Sequence, residues 1–345
     1  MNKQLSRSKL INASPKRKQK GVALLVIMLI VAIVTVLATE MVGRLQLNMA
    51  RTTNIKANNQ AYWYAVSAEE FARKRLGDLK TLDPSSINLS QPWAQVFAFP
   101  LEDGGIQAEL IDLHACFNLN SVANPPPPPP SGAGNTPTTG INSEIEAFNR
   151  LLQLANAELI DTFTADTVAD SLADWIDDDS QLKPFGAEDA DYESLQFPYN
   201  AANAPMTNAS EFRLINGVDI SWLSSVMPLI CAIPNVTVLK VNINTIKPEH
   251  AIVLAAIANI SIEDATRLIS ARPADGYANI ADFLSNPEVK NLNDVQKSWL
   301  SIKSDYFMLD TKTRYNGSSF NMTSIFNVFD ASNVEVISRE FRSAK

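Results

Sequence analysis

The 345-residue chain is long enough for one to three domains, and its 46% hydrophobic residues are enough to form packed cores, which excludes a disordered chain. The net charge of −8 conceals an asymmetry. Residues 1–20 carry seven Lys or Arg and no acid, while the remainder carries 22 basic and 37 acidic residues, a net charge of −15. A body this acidic repels phosphate backbones, which argues against nucleic acid as a partner.

The first predicted element is a long helix over residues 22–82. The eighteen residues from Val22 to Thr39 contain no charge, and a helix of this length is just long enough to cross a bilayer. The basic stretch before it is typical of a cytoplasmic flank. Apolar residues then recur at helical spacing, and the first proline after the basic stretch is Pro84. An unbroken helix of this extent would be about 90 Å long.

Three interpretations of this segment compete: a secretory signal cleaved after Ala38, a plain membrane anchor, and a prepilin leader. The sequence KRKQKGVALLVIML, residues 16–29, resembles a type IV prepilin leader. That resemblance implies that prepilin peptidase cuts after Gly21 and methylates the new amine of Val22. Most pilins have Glu at mature position five, where it is thought to neutralise the amine of the subunit above. This chain has Val26, which suits a subunit at a fibre tip.

The body of the chain predicts an α+β fold, in which a large, mostly helical insert interrupts an antiparallel sheet. Residues 83–123 contain alternating, strand-like segments, with Gly104-Gly105 as a turn. A Pro/Gly-rich stretch, 124–140, predicts a linker, and residues 141–300 predict the helical insert. Residues 301–345 alternate again and supply the returning strands, with Asn316-Gly317 as a hairpin turn.

An acidic loop at 174–193 holds eight acids and one lysine. Two carboxylates 4 Å apart repel by about 4 kcal/mol at an effective dielectric of 20, so an ordered loop of this composition needs a cation. Oxygen ligands without His or Cys favour Ca²⁺. Asp177-x-Asp179-x-Gln181 resembles the start of an EF-hand loop, but the later glycine and glutamate are missing. The alternative is a solvated acidic face.

The two cysteines, Cys116 and Cys231, leave two interpretations open. They are either a pair of reduced, buried thiols or a disulfide, and the preceding membrane segment favours an exported domain in which disulfides persist. The disulfide would close a loop of 115 residues. By lowering the entropy of the unfolded chain, a loop of this length would stabilise the fold by about 4–5 kcal/mol.

Residues 236–285 resemble a helix-hairpin-helix module, which grips DNA phosphates through glycine amides. The hairpin here, residues 257–261, has no glycine, and Glu263 and Asp264 follow it, so a packing role is favoured. The alternative function is a membrane-tethered DNA-binding protein of a competence or pilus system. The two histidines, His114 and His250, lie in no catalytic or zinc-binding pattern, and the sequence predicts that the chain is not an enzyme.

A second resemblance covers nearly the whole chain from the leader onward. It is carried by the residues of three successive motifs: Asp174, Trp175, Ile176, Asp177 and Asp179; Gly186, Ala187, Glu188, Asp189 and Tyr192; and Pro198, Tyr199, Asn203, Pro205, Glu211, Arg213 and Gly217. These residues resemble the insert of the type II secretion minor pseudopilin K family, with Phe212 where leucine is usual.

The family resemblance implies several expectations. Calcium would be bound by Asp177, Asp179, Glu188 and Asp189, with Asp174, Asp178 and Asp191 as further candidates. The chain would be held in the inner membrane by one helix, with its globular part in the periplasm. It would cap the tip of the pseudopilus with the I and J types of minor pseudopilin and help to initiate fibre assembly for export across the outer membrane.

Overall fold

The computed structural model describes residues 21–83, 85–123 and 143–342, so the basic segment 1–20 and the predicted linker 124–140 lie outside the described residues. Helix α1 runs from Val22 to Leu82, with the predicted bounds. It ends just before Pro84, because a proline disfavours helical geometry in the residue ahead of it. All side chains from 21 to 56 are exposed, and Val22–Thr39 is apolar on every face, as expected of a helix surrounded by lipid.

The structure contains an antiparallel sheet of five strands. In the order in which they lie across the sheet, the strands are β1 (Phe97–Leu101), β2 (Gly104–Asp112), β7 (Tyr306–Tyr315), β8 (Ser318–Val328) and β9 (Val334–Arg342). The predicted hairpin at Asn316-Gly317 is confirmed: both residues have positive φ, 47° and 80°, as a type I′ turn requires. The predicted Gly104-Gly105 turn is wrong. Both glycines pair with β7, and the chain reverses before them at residues 102–103, since ladder pairing outweighs the local turn preference of glycine.

The last third of α1 packs on one face of this sheet. Small residues of the helix, Ala68 and Ala72, let its backbone approach the buried rings of Phe307 and Phe326. Glu69, a charged residue of α1, is buried between the helix and the sheet, with 1% of its surface exposed. Two hydrogen bonds of 2.7 Å from the Arg339 guanidinium satisfy it, and the helix is thereby tied to β9.

The insert lies between β2 and β7 and has its own hydrophobic core. Its helices are α2 (Ser143–Ala155), α3 (Thr162–Ile176), α4 (Asp189–Glu193), α5 (Ile220–Val226), α6 (Ala251–Ala258), α7 (Ile262–Ser270), α8 (Ile280–Leu284) and α9 (Asp294–Trp299). Two short parallel strand pairs complete it, β3 (Phe117–Asn118) with β4 (Ile230–Cys231) and β5 (Val241–Asn242) with β6 (Leu300–Ser301).

The boundaries of the insert differ from those predicted. The sheet strand β2 ends at Asp112, and Phe117 and Leu119 are buried in the core of the insert rather than in the sheet. At the other end, β6 still pairs within the insert, and the sheet resumes only at Tyr306. Alternating sequence alone could not assign these strands, because pairing with distant residues decides which sheet a strand joins.

A buried polar junction and a disulfide connect the insert to the sheet. The Asp112 carboxylate accepts hydrogen bonds from the hydroxyls of Thr245 (2.6 Å) and Ser304 (2.5 Å). Immediately after β2, Cys116 and Cys231 form a disulfide with their Cα atoms 5.9 Å apart, the pairing that the sequence favoured. The disulfide therefore links the chain just after it leaves the sheet to strand β4 of the insert.

The segment at 236–285 folds as packed helices. Almost every side chain of α6 is buried, which agrees with the predicted packing role. Asn259 adopts the left-handed conformation (φ 53°) that ends α6, and Ser261 caps α7 by accepting a hydrogen bond from the Asp264 amide.

Candidate metal centre

Helix α3 delivers the first acids of the acidic loop. Asp161 caps its start by accepting a hydrogen bond from the Thr164 amide, and its apolar face, which includes Val168 and Leu172, is buried in the insert. The helix ends at Ile176 because Asp177 adopts extended geometry. The chain therefore leaves the core directly into the acidic run.

Three carboxylates converge after this helix. One oxygen each from Asp177, Asp179 and Glu188 lies within 4.8 Å of the others. Oxygens bound to one Ca²⁺ lie 2.3–2.6 Å from the ion, so two of them can be separated by at most about 5 Å. The spacing of the three carboxylates is therefore compatible with a single calcium ion between them.

The burial of Glu188 is the strongest local indication of a cation-binding site. This residue is only 6% exposed, and within the described residues neither of its carboxylate oxygens has a hydrogen-bond partner. Oδ1 of Asp177 is buried and unpartnered in the same way. Burial, followed by the charges of Asp174 and Asp177, raises the pKa of Glu188. Unpaired buried carboxylates are costly, and a divalent cation is the ligand that would offset that cost.

Asp179 is held in position although it is exposed. Its Oδ1 accepts a hydrogen bond of 2.8 Å from the Gln181 amide, which forms a local turn and orients the carboxylate. Among the described residues, the donor set is then three carboxylates with no nitrogen or sulfur ligand, which fits a hard, oxygen-seeking cation such as Ca²⁺.

Asp174 and Lys183 close the loop against α3. Asp174 is fully buried and accepts hydrogen bonds from both the amide (3.2 Å) and the ammonium group (3.0 Å) of Lys183. Gly186 packs directly on the Asp174 carboxylate, where a side chain of any size would collide. Burial raises the pKa of Asp174, and Lys183 opposes that shift. Asp174 therefore anchors the loop and is not one of the three converging ligands.

Aromatic rings form the wall behind the loop. Trp175 meets Tyr192 edge-to-face with ring centres 5.2 Å apart, and Tyr192 stacks on Tyr199 at 5.3 Å. The Tyr192 hydroxyl accepts a hydrogen bond of 3.3 Å from the Asn216 amide, and burial raises the pKa of Tyr192. These contacts fasten α4 to the end of α3 and fix the distance between Asp177 and Glu188.

The remaining predicted ligands have other positions. Asp189 Oδ1 accepts a hydrogen bond of 2.9 Å from the Ala201 amide, and Asp191 accepts one of 3.1 Å from the Glu188 amide. Asp178 is exposed. Of the four ligands predicted first, the structure brings Asp177, Asp179 and Glu188 together and uses Asp189 to hold the following segment.

Two further contacts were not anticipated from the sequence. Lys183 pairs with Asp174 and Asp177, and Asp170 on α3 accepts a hydrogen bond of 3.1 Å from the Phe185 amide. The sequence did offer a signal for the Lys183 contacts, because Lys183 is the one basic residue in the acidic run. No sequence pattern indicated the Asp170 contact, because it joins residues fifteen apart across a loop.

The predicted processing residues lie where α1 begins. Gly21 is exposed and Val22 is the first helical residue, so the proposed cleavage point directly precedes the helix.

Comparisons with known proteins agree with this architecture. A family model described as "Type II secretion system (T2SS), protein K" matches residues 115–235, and a second with the same description matches 241–303. Type II secretion system protein K of Aeromonas hydrophila is 36% identical over 90% of this chain and 93% of its own length. The protein of the same name from Klebsiella pneumoniae is 34% identical over 84% of this chain and 87% of its own length.

Among solved structures, the fold is similar to a chain in the crystal structure of the GspK-GspI-GspJ complex from the type 2 secretion system of enterotoxigenic Escherichia coli. The TM-score is 0.73 at 29% identity, and the match covers 85% of this chain and 100% of the other. The described fold, the order of its motifs and these matches lead to one assignment. The chain belongs to the protein K family of type II secretion minor pseudopilins.

Proposed function

We propose that this chain caps the tip of a periplasmic pseudopilus and helps to initiate its assembly for protein export across the outer membrane. The observation that carries the proposal is the insert, which occupies the chain between β2 and β7 of a pilin-like sheet. A subunit inside a helical fibre needs neighbours above and below, and the insert adds bulk that only an end position accommodates. Val26 agrees, because a tip subunit has no neighbouring amine above it to neutralise.

The proposed partners are the I and J types of minor pseudopilin of the same secretion system. The similar K chain was solved in a complex with GspI and GspJ, and the likeness extends over its whole length. In this proposal the subunits assemble and the chain has no catalytic role. DNA binding is disfavoured, since Glu263 and Asp264 occupy the first turn of α7, where a phosphate would have to bind.

The proposed location is the inner membrane, crossed once by Val22–Thr39, with the globular part in the periplasm. Prepilin peptidase would cleave after Gly21 and methylate the amine of Val22. The Cys116–Cys231 disulfide supports the location, since disulfides persist in the oxidising periplasm.

We further propose that the insert binds Ca²⁺ through Asp177, Asp179 and Glu188. The ion would join the end of α3 to the start of α4, because Asp177 directly follows α3 and Glu188 directly precedes α4. It would neutralise buried carboxylates and so stabilise the insert, and it would take no part in a reaction.

Electron microscopy of pseudopili can test the tip position. Fibres assembled in cells that produce the full chain with its I and J partners would be labelled with gold-coupled antibodies against the insert. Label at one end of each fibre is expected. Label spaced along the length would show that the insert is tolerated inside the fibre and would refute the proposal.

A further inference from the structure

Lys183 is the one base among the eight acids of residues 174–193. Its ammonium nitrogen lies 2.6 Å from Oδ2 of Asp177 and 3.0 Å from Oδ1 of the fully buried Asp174. A lysine side chain is positively charged at neutral pH. Its two short contacts, to Asp177 and Asp174, hold the ammonium group in place.

The Asp177 carboxylate has two different environments. Oδ2 accepts the short hydrogen bond from Lys183, while Oδ1 is buried with no partner within the described residues. Asp177 is also one of the three carboxylates that converge on the proposed calcium position. Oδ2 of Asp177 thus pairs with the lysine, while Oδ1 of the same carboxylate is free to bind an ion.

This arrangement affects both states of the site. In the ion-free protein, Lys183 offsets the mutual repulsion of Asp174, Asp177, Asp179 and Glu188, so the loop can remain folded. In the ion-bound protein, the ammonium group lies across a single carboxylate from a divalent cation and repels it, and it also withdraws charge from Asp177. Both effects weaken calcium binding relative to the same carboxylates without the lysine.

We propose that Lys183 is a built-in counter-cation that sets the calcium affinity of this site. It keeps the loop ordered when calcium is scarce and lowers the affinity, so that occupancy follows the calcium concentration outside the cytoplasm. The inference rests on the proposed calcium site and assigns its regulation to a residue that is not a ligand.

Calcium titration of the full chain in detergent micelles tests this role. Calcium chloride would be titrated by calorimetry into the wild type, Lys183→Met, Lys183→Arg and, as a matched control, Lys290→Met, which replaces an exposed lysine elsewhere. Lys183→Met should bind calcium at least tenfold more tightly than wild type. Lys183→Arg keeps the charge and should stay within threefold, and Lys290→Met should not differ.

A second measurement covers the case in which Lys183→Met does not fold without metal. Each protein would be loaded with calcium and mixed rapidly with an excess of chelator. Lys183→Met should release calcium at least tenfold more slowly than wild type. An equal or faster release would overturn the role of Lys183 and leave the calcium site standing. If the wild type takes up no calcium at all, the site and the role of its lysine both fall.

Discussion

Replacing Glu69 with glutamine tests whether one ion pair holds α1 on the sheet. The Glu69 carboxylate is almost completely buried and accepts two hydrogen bonds from Arg339 and one from Ser324, each 2.7 Å long. Three hydrogen bonds to a charged acceptor, taken at about 1.5 kcal/mol each, sum to about 4–5 kcal/mol. Glutamine keeps one acceptor oxygen, and Arg339 is half exposed and can be rehydrated, so the expected loss is about 2–3 kcal/mol.

Urea unfolding of the full chain in detergent micelles, followed by near-ultraviolet circular dichroism, would measure this loss. Glu70→Gln is the matched control, since Glu70 is the next residue on α1 and its side chain is 61% exposed. Arg339→Gln should cost more than Glu69→Gln because it leaves a carboxylate buried and unpaired. The double variant should cost less than the sum of the two. A loss for Glu69→Gln within about 0.5 kcal/mol of the control would show that this ion pair does not hold α1 on the sheet.

The Glu69–Arg339 ion pair also predicts how the free energy of unfolding depends on pH. Burial raises the pKa of Glu69, but the hydrogen bonds from Arg339 and Ser324 and the charges of Arg339 and Arg73 outweigh it, so the folded-state pKa lies below the ordinary value of 4.5. A lowered carboxyl pKa stabilises the fold above the unfolded pKa, and the stabilisation is lost as the pH falls through the folded value. The difference in unfolding free energy between wild type and Glu69→Gln should therefore be constant above about pH 5.5 and shrink below pH 4.5. A difference that grows on acidification would contradict this sign.

Three further outcomes are expected. Intact-mass analysis of the mature chain should give a methylated Val22 at the N-terminus, whereas a chain that begins at Thr39 would show cleavage by signal peptidase instead. Calcium should raise the unfolding free energy by about 2.7 kcal/mol at a hundredfold excess over Kd. Asp177→Ala should abolish most of this gain and Asp219→Ala, outside the loop, should not; an unchanged gain in the first variant would remove Asp177 from the site. Cys231→Ser should lower stability by about 4 kcal/mol, because the disulfide closes a loop of 115 residues, and an unchanged urea midpoint would contradict this.

Elements whose causes are local can be predicted from the amino-acid sequence. Helix α1 begins and ends at the predicted residues because an uninterrupted helical pattern lies between Gly21 and Pro84. The hairpin at Asn316-Gly317 follows from the ease with which both residue types adopt positive φ. The acidic run predicts a cation site, and that remains a prediction. The resemblance to the protein K family is what implies particular carboxylates as ligands.

Which of these side chains lie close together depends on contacts that form only in the folded chain. The positions of Asp177 and Glu188 depend on the aromatic contacts behind the loop. Asp189, also predicted as a ligand, lies outside the three converging carboxylates and accepts a hydrogen bond from the Ala201 amide. Gly104 pairs with Tyr315 in the sheet, although the Gly104-Gly105 sequence predicted a turn. In each case the deciding interaction joins residues far apart in the chain, and its strength depends on burial and on partners that no short segment of sequence specifies.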